Sequence, residues 1–120
     1  MIDREMLRNM FDGIAKQGRW DMSKPMLWGY FFTHREPKQL QAIVPALQGL
    51  DYEFVDIFQS KKDDPAKPDL WWLHVQRVEI HSVESLFARN EQLSEFAEEH
   101  QLDSYDGMDV GPPDSPERLS

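Results

Sequence analysis

The stretch LWGYFFT, residues 27–33, decides the fold of this chain. Pro25 lies before it and the sequence HREP follows it, so a short extended segment is favoured over a helix. Side chains in a strand alternate between two faces. One face therefore carries Trp28, Tyr30 and Phe32, and the other carries Leu27, Gly29, Phe31 and Thr33. Because both faces hold apolar groups, we predict that this strand lies in the middle of a sheet.

A helix is predicted on each side of this strand. Before it, apolar residues recur at helical spacing over residues 3–16, and Gly18 is a suitable end point. After it, Pro37 fits the first position of a second helix and Gly49 its end. Pro45 lies inside that second helix, where it removes a hydrogen bond, so we expect the helix to be kinked or short.

Two further strands and a long helix follow. Apolar and polar residues alternate in YEFVDIFQ, residues 52–59, and again in LWWLHVQRVEI, residues 70–80. The charged, proline-containing loop between them is short enough to favour an antiparallel hairpin. Ser82 is a suitable cap for the long third helix. A turn at Asp106-Gly107 and a short last strand at MDVG are expected to complete the domain.

The predicted order is one helix followed by β-α-β-β-α-β. This order predicts an α+β fold of the ferredoxin-like type, an antiparallel sheet with helices on one face and an extra N-terminal helix. With 120 residues, the chain is expected to form one domain over residues 1–111. Residues 112–120 contain three prolines and no core residue, and we expect them to be disordered.

The negative charge of the chain lies almost wholly in its last third. Residues 1–78 hold 11 acids and 11 bases, whereas residues 79–120 hold 11 acids against Arg89 and Arg118, which accounts for the net charge of −9. Such a region repels a phosphate backbone and attracts a basic protein segment. The same charge would also serve simply to keep a tryptophan-rich domain in solution.

Six carboxylates are the main candidate binding residues. Glu91, Glu95 and Glu98 follow one another at spacings of 4 and 3, so they share one ridge of the third helix. The segment after the helix adds Asp103, Asp106 and Asp109. No Lys is interspersed among them, which favours docking of a basic segment. A plain solvated helix face remains the alternative.

Aromatic residues of the sheet form the second candidate site. Trp28, Tyr30, Trp72 and His74 would form one sheet face able to bind a small ligand or a peptide. The alternative is that this set is core or is covered by another element. RNA binding is disfavoured, because RNA-binding sheets place Lys and Arg beside their aromatic residues, and here the third strand offers only Arg77.

Catalysis is not indicated by the sequence. The chain has no Cys, no glycine-rich phosphate loop and no pair of its four His residues at metal-binding helical spacing. We therefore expect no enzyme activity, no metal and no cofactor. A transmembrane helix and a secretory signal are also not apparent, which makes a cytoplasmic location the default expectation.

Three stretches of the chain resemble the RraB-type regulators of ribonuclease E activity. They are LWGYFFTH, then YEFVDIFQ, then the long run LWWLHVQRVEIHSVESLFARNEQLSEFAEEHQLDSYDGMDVG, and together they span roughly residues 24–111. In that family the domain ends in a long helix followed by a Y-D-G turn, which Tyr105, Asp106 and Gly107 match. The chain departs from the pattern at Met108, where the family commonly has Trp.

The resemblance implies a small acidic regulator without catalysis of its own. Members of that family are thought to bind the scaffold region of the ribonuclease and to modulate RNA decay. The implied partner is thus a basic protein segment, with no direct nucleic acid and no membrane contact. Exposed strand edges could also pair two chains into a homodimer, which the sequence leaves open.

Overall fold

A computed structural model describes residues 2–18, 20–62 and 64–113 of the chain. It confirms an α+β fold with one four-stranded antiparallel sheet and three helices. The elements in chain order are α1 (Arg4–Gln17), β1 (Met26–His34), α2 (Pro37–Gly49), β2 (Glu53–Gln59), β3 (Trp71–Glu79), α3 (Val83–Glu99) and β4 (Ser104–Gly111). Of the tail expected to be disordered, residues 114–120 lie outside the described part.

The central position of β1 is confirmed. The strand order across the sheet is β2-β3-β1-β4, so β1 pairs with β3 on one side and β4 on the other, both antiparallel. The predicted hairpin between β2 and β3 is also present. Within the described residues, β2 and β4 are therefore the two edge strands of the sheet.

The core lies on the side of β1 that carries Trp28, Tyr30 and Phe32, and all three side chains are fully buried. Phe32 and Tyr30 are opposite Leu73 and Val75 of β3, so these residues share that face. Burial of side chains of this size stabilises the fold by about 2–3 kcal/mol each. Leucines and isoleucines of all three helices complete the core: Leu7, Ile14, Leu40, Ile43, Leu47, Leu86 and Leu93.

The helix termini follow the signals in the sequence. Asp3 accepts a hydrogen bond from the backbone N–H of Met6, and Gly18 ends α1 in the left-handed conformation. α2 begins at Pro37 and runs past Pro45 to Gly49, so the shortening expected at Pro45 does not occur. Ser82 caps α3 as predicted, and its side chain accepts from the backbone N–H of Ser85.

The end of the chain differs from the prediction. Asp106 and Gly107 do not form a turn but lie inside β4, which begins at Ser104. The pairing of β4 with β1 shifts register between Phe31 and Phe32, and Gly107 has a φ of +121°. The Asp-Gly pair thus supplies a bulge in a longer strand, because Gly tolerates a backbone conformation that other residues adopt only with strain.

An acidic groove between α3 and β4

The predicted carboxylate ridge is present on α3. Glu91, Glu95 and Glu98 are exposed along the helix, whose opposite side buries Leu86, Leu93 and Ala97. Within the described residues, no Lys or Arg forms a salt bridge with any of these three glutamates. Like charges at spacings of 3 and 4 cost a few tenths of a kcal/mol each.

A cavity of about 370 Å³ lies between α3 and β4. We call this cavity the acidic groove, because its lining includes Glu91, Glu95 and Asp106. Ser94 and Tyr105 also line it. Burial raises the pKa of Asp106, because partial desolvation disfavours its charged form. The fold therefore brings half of the six predicted acids to one concave surface.

The floor of the acidic groove contains a buried polar pair. The Tyr105 hydroxyl donates a short hydrogen bond to Asn90 Oδ1, and burial raises the pKa of Tyr105. Asn90 is buried, and its Nδ2 has no hydrogen-bond partner in the described part of the chain. Asn90 is the one polar residue in the buried stripe of α3, and it lines the groove.

The other predicted acids are placed differently. Glu98 stays on the exposed ridge but is not part of the groove lining. Asp103 binds Arg35, since its Oδ2 accepts from the Arg35 backbone N–H at 2.8 Å and lies 3.6 Å from Arg35 Nε. Asp109 is opposite Gly29, on the sheet face that points away from the helices, and is only 6% exposed. The six carboxylates therefore do not lie on a single surface.

The four aromatic residues of the second candidate site do not share a face. Trp28 and Tyr30 are buried under the helices, whereas Trp72 and His74 are opposite Thr33 and Phe31 on the other side of the sheet. The four residues are divided between two faces because alternation fixes faces within one strand, while the register between strands fixes which faces coincide. Trp72 and His74 instead belong to a group with Phe31 and Phe58.

A buried ionic network at the end of β3 was not predicted from the sequence. Glu79 Oε2 accepts from Tyr30 Oη at 2.6 Å and lies 3.2 Å from His81 Nε2, while Arg89 Nη1 contacts both carboxylate oxygens. Burial alone would raise the pKa of Glu79. Hydrogen bonds from His81, Tyr30 and Arg89 outweigh that effect and lower the pKa to about 2.

This network cross-links β1, β3 and α3. His81 Nδ1 also lies 2.9 Å from Ser85 Oγ, and the buried Trp28 indole donates to the Glu79 carbonyl at 3.1 Å. Ser85 Oγ in turn accepts from the backbone N–H of Ser82, as part of the capping box. These partners give each group a structural role. The available sequence signal was Glu79 at the end of a predicted strand with His81 two residues later, just beyond the last residue of β3.

The family of this chain follows from a comparison with known proteins. The family model described as regulator of ribonuclease activity B matches residues 4–110, which include all seven elements except the last residue of β4. The chain belongs to the RraB family. No curated protein matches the sequence. The resemblance read from the aromatic strands and the Y-D-G segment is thereby confirmed.

Membership of the RraB family assigns a role in the regulation of ribonuclease activity. Across residues 2–18, 20–62 and 64–113, no three His, Asp or Glu side chains lie together in a way that could hold a metal ion. Among the described helices of this RraB-family chain, none is long and apolar enough to cross a membrane. Two surface features of the described residues bear on this role, the acidic groove and the aromatic face of the sheet.

Proposed function

We propose that this RraB-family chain is a non-catalytic regulator that binds a basic segment of its ribonuclease partner in the acidic groove. The observation that carries the proposal is the convergence of Glu91, Glu95 and Asp106 on one cavity. The specific partner proposed is the scaffold region of ribonuclease E, acting in the cytoplasm on RNA decay. Direct binding of nucleic acid is not part of the proposal, because this surface repels phosphate.

Charge supports a basic partner. The single base in the sequence of α3 is Arg89, which is held by Glu79 and does not neutralise the ridge. A cationic segment would relieve the repulsion along the ridge and would favour the ionised form of Asp106, whose charge is penalised by burial. Such contacts at the surface weaken with salt, since the Debye length falls from about 10 Å at 0.1 M to about 3 Å at 1 M.

The test is binding of a purified ribonuclease E scaffold fragment at low and high salt. The triple variant Glu91→Lys, Glu95→Lys, Glu98→Lys should abolish binding at low salt, because it replaces attraction by repulsion. A matched control reverses three exposed acids elsewhere, Asp12, Glu36 and Glu53, and changes net charge by the same amount. If both triple variants lose binding equally, only net charge matters, and the groove is not the site. If the native chain fails to bind at low salt, the partner is wrong.

A second candidate function is the binding of a small ligand or a peptide on the open sheet face. It is favoured by Trp72 and His74, which lie on that face and are partly exposed. Trp28 and Tyr30, which the sequence placed on this face, do not belong to it, because both are fully buried. Titration of the triple variant Glu91→Lys, Glu95→Lys, Glu98→Lys separates the two sites, since a ligand that needs only the sheet face would still change the fluorescence of Trp72.

We also infer that the sheet and its two crossover helices are a ferredoxin-like arrangement with α1 added, and that residues 1–111 fold as one unit. Support comes from the order β-α-β-β-α-β after α1 and from the strand order β2-β3-β1-β4. An experimental structure with a different strand order would contradict this. A homodimer through the edge of β2 or β4 is tested by sedimentation of the purified chain.

A further inference from the structure

The open face of the sheet carries a continuous row of aromatic rings. The ring centroids of Phe58 and Trp72 are 6.3 Å apart and the rings are stacked, and Trp72 meets Phe31 edge-on at 6.2 Å. Phe31 in turn stacks on His74 at 4.4 Å. These residues come from β2, β3 and β1, so the row crosses three strands of the sheet. The core of the described chain lies on the opposite face and does not use them.

A cleft of about 560 Å³ follows this row. We call it the aromatic cleft, because Phe31, Phe58 and Trp72 line it. Lys61 lies in its lining after β2, whereas Asp106 and Asp109 line it from β4. Asp109 is only 6% exposed, so Asp106 is the carboxylate through which this lining can meet a bound group. Cavities of this size take a side chain or a small ligand.

Asp106 connects the aromatic cleft to the acidic groove. It lines both cavities, because it lies at the bulge of the edge strand β4. In the described residues, no Lys or Arg forms an ion pair with Asp106. An extended segment that left the groove would therefore cross the edge of β4 and enter the cleft.

We propose that the aromatic cleft is the second half of the docking surface and takes an arginine side chain of the same basic segment that occupies the acidic groove. This inference rests on the proposed function and deepens it by naming the residue type recognised. A guanidinium group is flat and weakly hydrated, so it stacks on aromatic faces while its N–H groups reach a carboxylate, here Asp106. A lysine ammonium group forms such stacked contacts less well.

Other occupants fit the cleft less well. Single-stranded RNA stacks its nucleobases on exposed aromatic residues, but such sites hold the phosphates with a groove of Lys and Arg side chains. Here the described lining offers Lys61 alone, and the adjoining cavity is the acidic groove. A second copy of the chain would bring its own net charge of −9 against the same acids. Charge complementarity thus favours a cationic polypeptide.

The test uses two synthetic peptides that are identical except that all basic residues are Arg in one and Lys in the other. Their affinities for the full chain are measured by calorimetry. Phe58→Leu removes the aromatic ring but keeps an apolar side chain of similar size. The matched control is Phe54→Leu, in the same strand, since Phe54 is 41% exposed against 38% for Phe58 but lies on the helix side opposite Val75.

We expect Phe58→Leu to lower the affinity for the arginine peptide about fivefold. The affinity for the lysine peptide should change by less than about twofold. Phe54→Leu should change neither affinity. An equal affinity of native chain and Phe58→Leu for the arginine peptide would overturn the proposal. As a second measurement, the arginine peptide should change the tryptophan emission of the native chain, and Trp72→Phe should remove that change while binding persists. Persistence of the emission change in Trp72→Phe would also count against the cleft.

The outcomes separate this inference from the proposed function. If the triple reversal at Glu91, Glu95 and Glu98 abolishes binding and Phe58→Leu has no effect, the groove is the site and the cleft is not. If only Phe58→Leu weakens binding, the groove proposal and the shared docking surface both fail, and the cleft alone binds arginine. Binding of poly-uridine RNA that depends on Phe58, or dimerisation that depends on it, would assign the cleft to a different occupant and overturn the inference.

Discussion

Arg89 Nη1 lies 2.7 Å from Glu79 Oε2 and 2.9 Å from Glu79 Oε1, which ties the middle of α3 to the end of β3. Both side chains are largely buried, at 18% and 12% exposure. The pair has two consequences. It holds the helix against the sheet, and it pairs the single base of α3 with Glu79, while the described lining of the acidic groove contains no Lys or Arg.

Removing Arg89 should destabilise the fold. In Arg89→Met the Glu79 carboxylate keeps its burial and loses its closest cation, while Arg77 Nε stays 3.6 Å from Oε1, at a cost of about 2–4 kcal/mol in the free energy of unfolding. Urea denaturation measures this. The control is Arg35→Met, because the Arg35 side chain is 71% exposed and its contact with Asp103 is long, so its loss should cost less than about 1 kcal/mol. Equal effects of the two substitutions would show that the buried pair adds nothing.

Stability should fall in acid through Glu79. Its pKa in the folded chain is about 2, below the ordinary value of 4.5, so the folded state favours the ionised form. The contribution is therefore present above about pH 4.5 and is lost as the pH falls towards 2. Its size is on the order of 2 kcal/mol, allowing for partial exposure. Glu79→Gln should be less stable than the native chain at pH 7, and urea denaturation across this range should show the difference shrinking. A constant difference would contradict the assignment.

The Tyr105–Asn90 pair should behave as a coupled unit. Tyr105→Phe leaves buried Asn90 without its hydroxyl donor, which should lower the free energy of unfolding by about 1–3 kcal/mol. Asn90→Leu combined with Tyr105→Phe removes both polar groups, and the double variant should be more stable than Tyr105→Phe alone. A double-mutant cycle from thermal denaturation measures the coupling. Additive effects would mean that the hydrogen bond contributes nothing measurable.

Gly107 and Gly13 should respond in opposite directions to replacement by Ala. At Gly107 the φ of +121° strains any side chain, so Gly107→Ala should destabilise by about 1–2 kcal/mol and disturb the bulge that places Asp106. Gly13 lies inside α1 with no atom within 4 Å of an added Cβ, so Gly13→Ala should stabilise by about 0.5–1 kcal/mol. Thermal melts of the two variants compare them directly. If Gly107→Ala is as stable as the native chain, the backbone at residue 107 does not require glycine.

The longer elements were predictable because their signals are local. The spacing of apolar residues in α1 and α3, the cap at Ser82 and the aromatic stretch of β1 each act over a few neighbouring residues. The ridge of Glu91, Glu95 and Glu98 follows from helix geometry alone. The Asp-Gly pair misled, because the same dipeptide suits a turn and a bulge, and pairing with β1 selects the bulge.

What the sequence by itself determined is therefore the set of helices and strands, the central place of β1 and the acidic ridge of α3. Only the tertiary structure decided that Asp106 joins Glu91 and Glu95, that Asp103 binds Arg35, and that Trp72 lies opposite the core. The physical reason is that these relations depend on the register between strands and on the packing of α3 beside β4. A shift of one residue in register exchanges the two faces of a strand, and no local pattern records it.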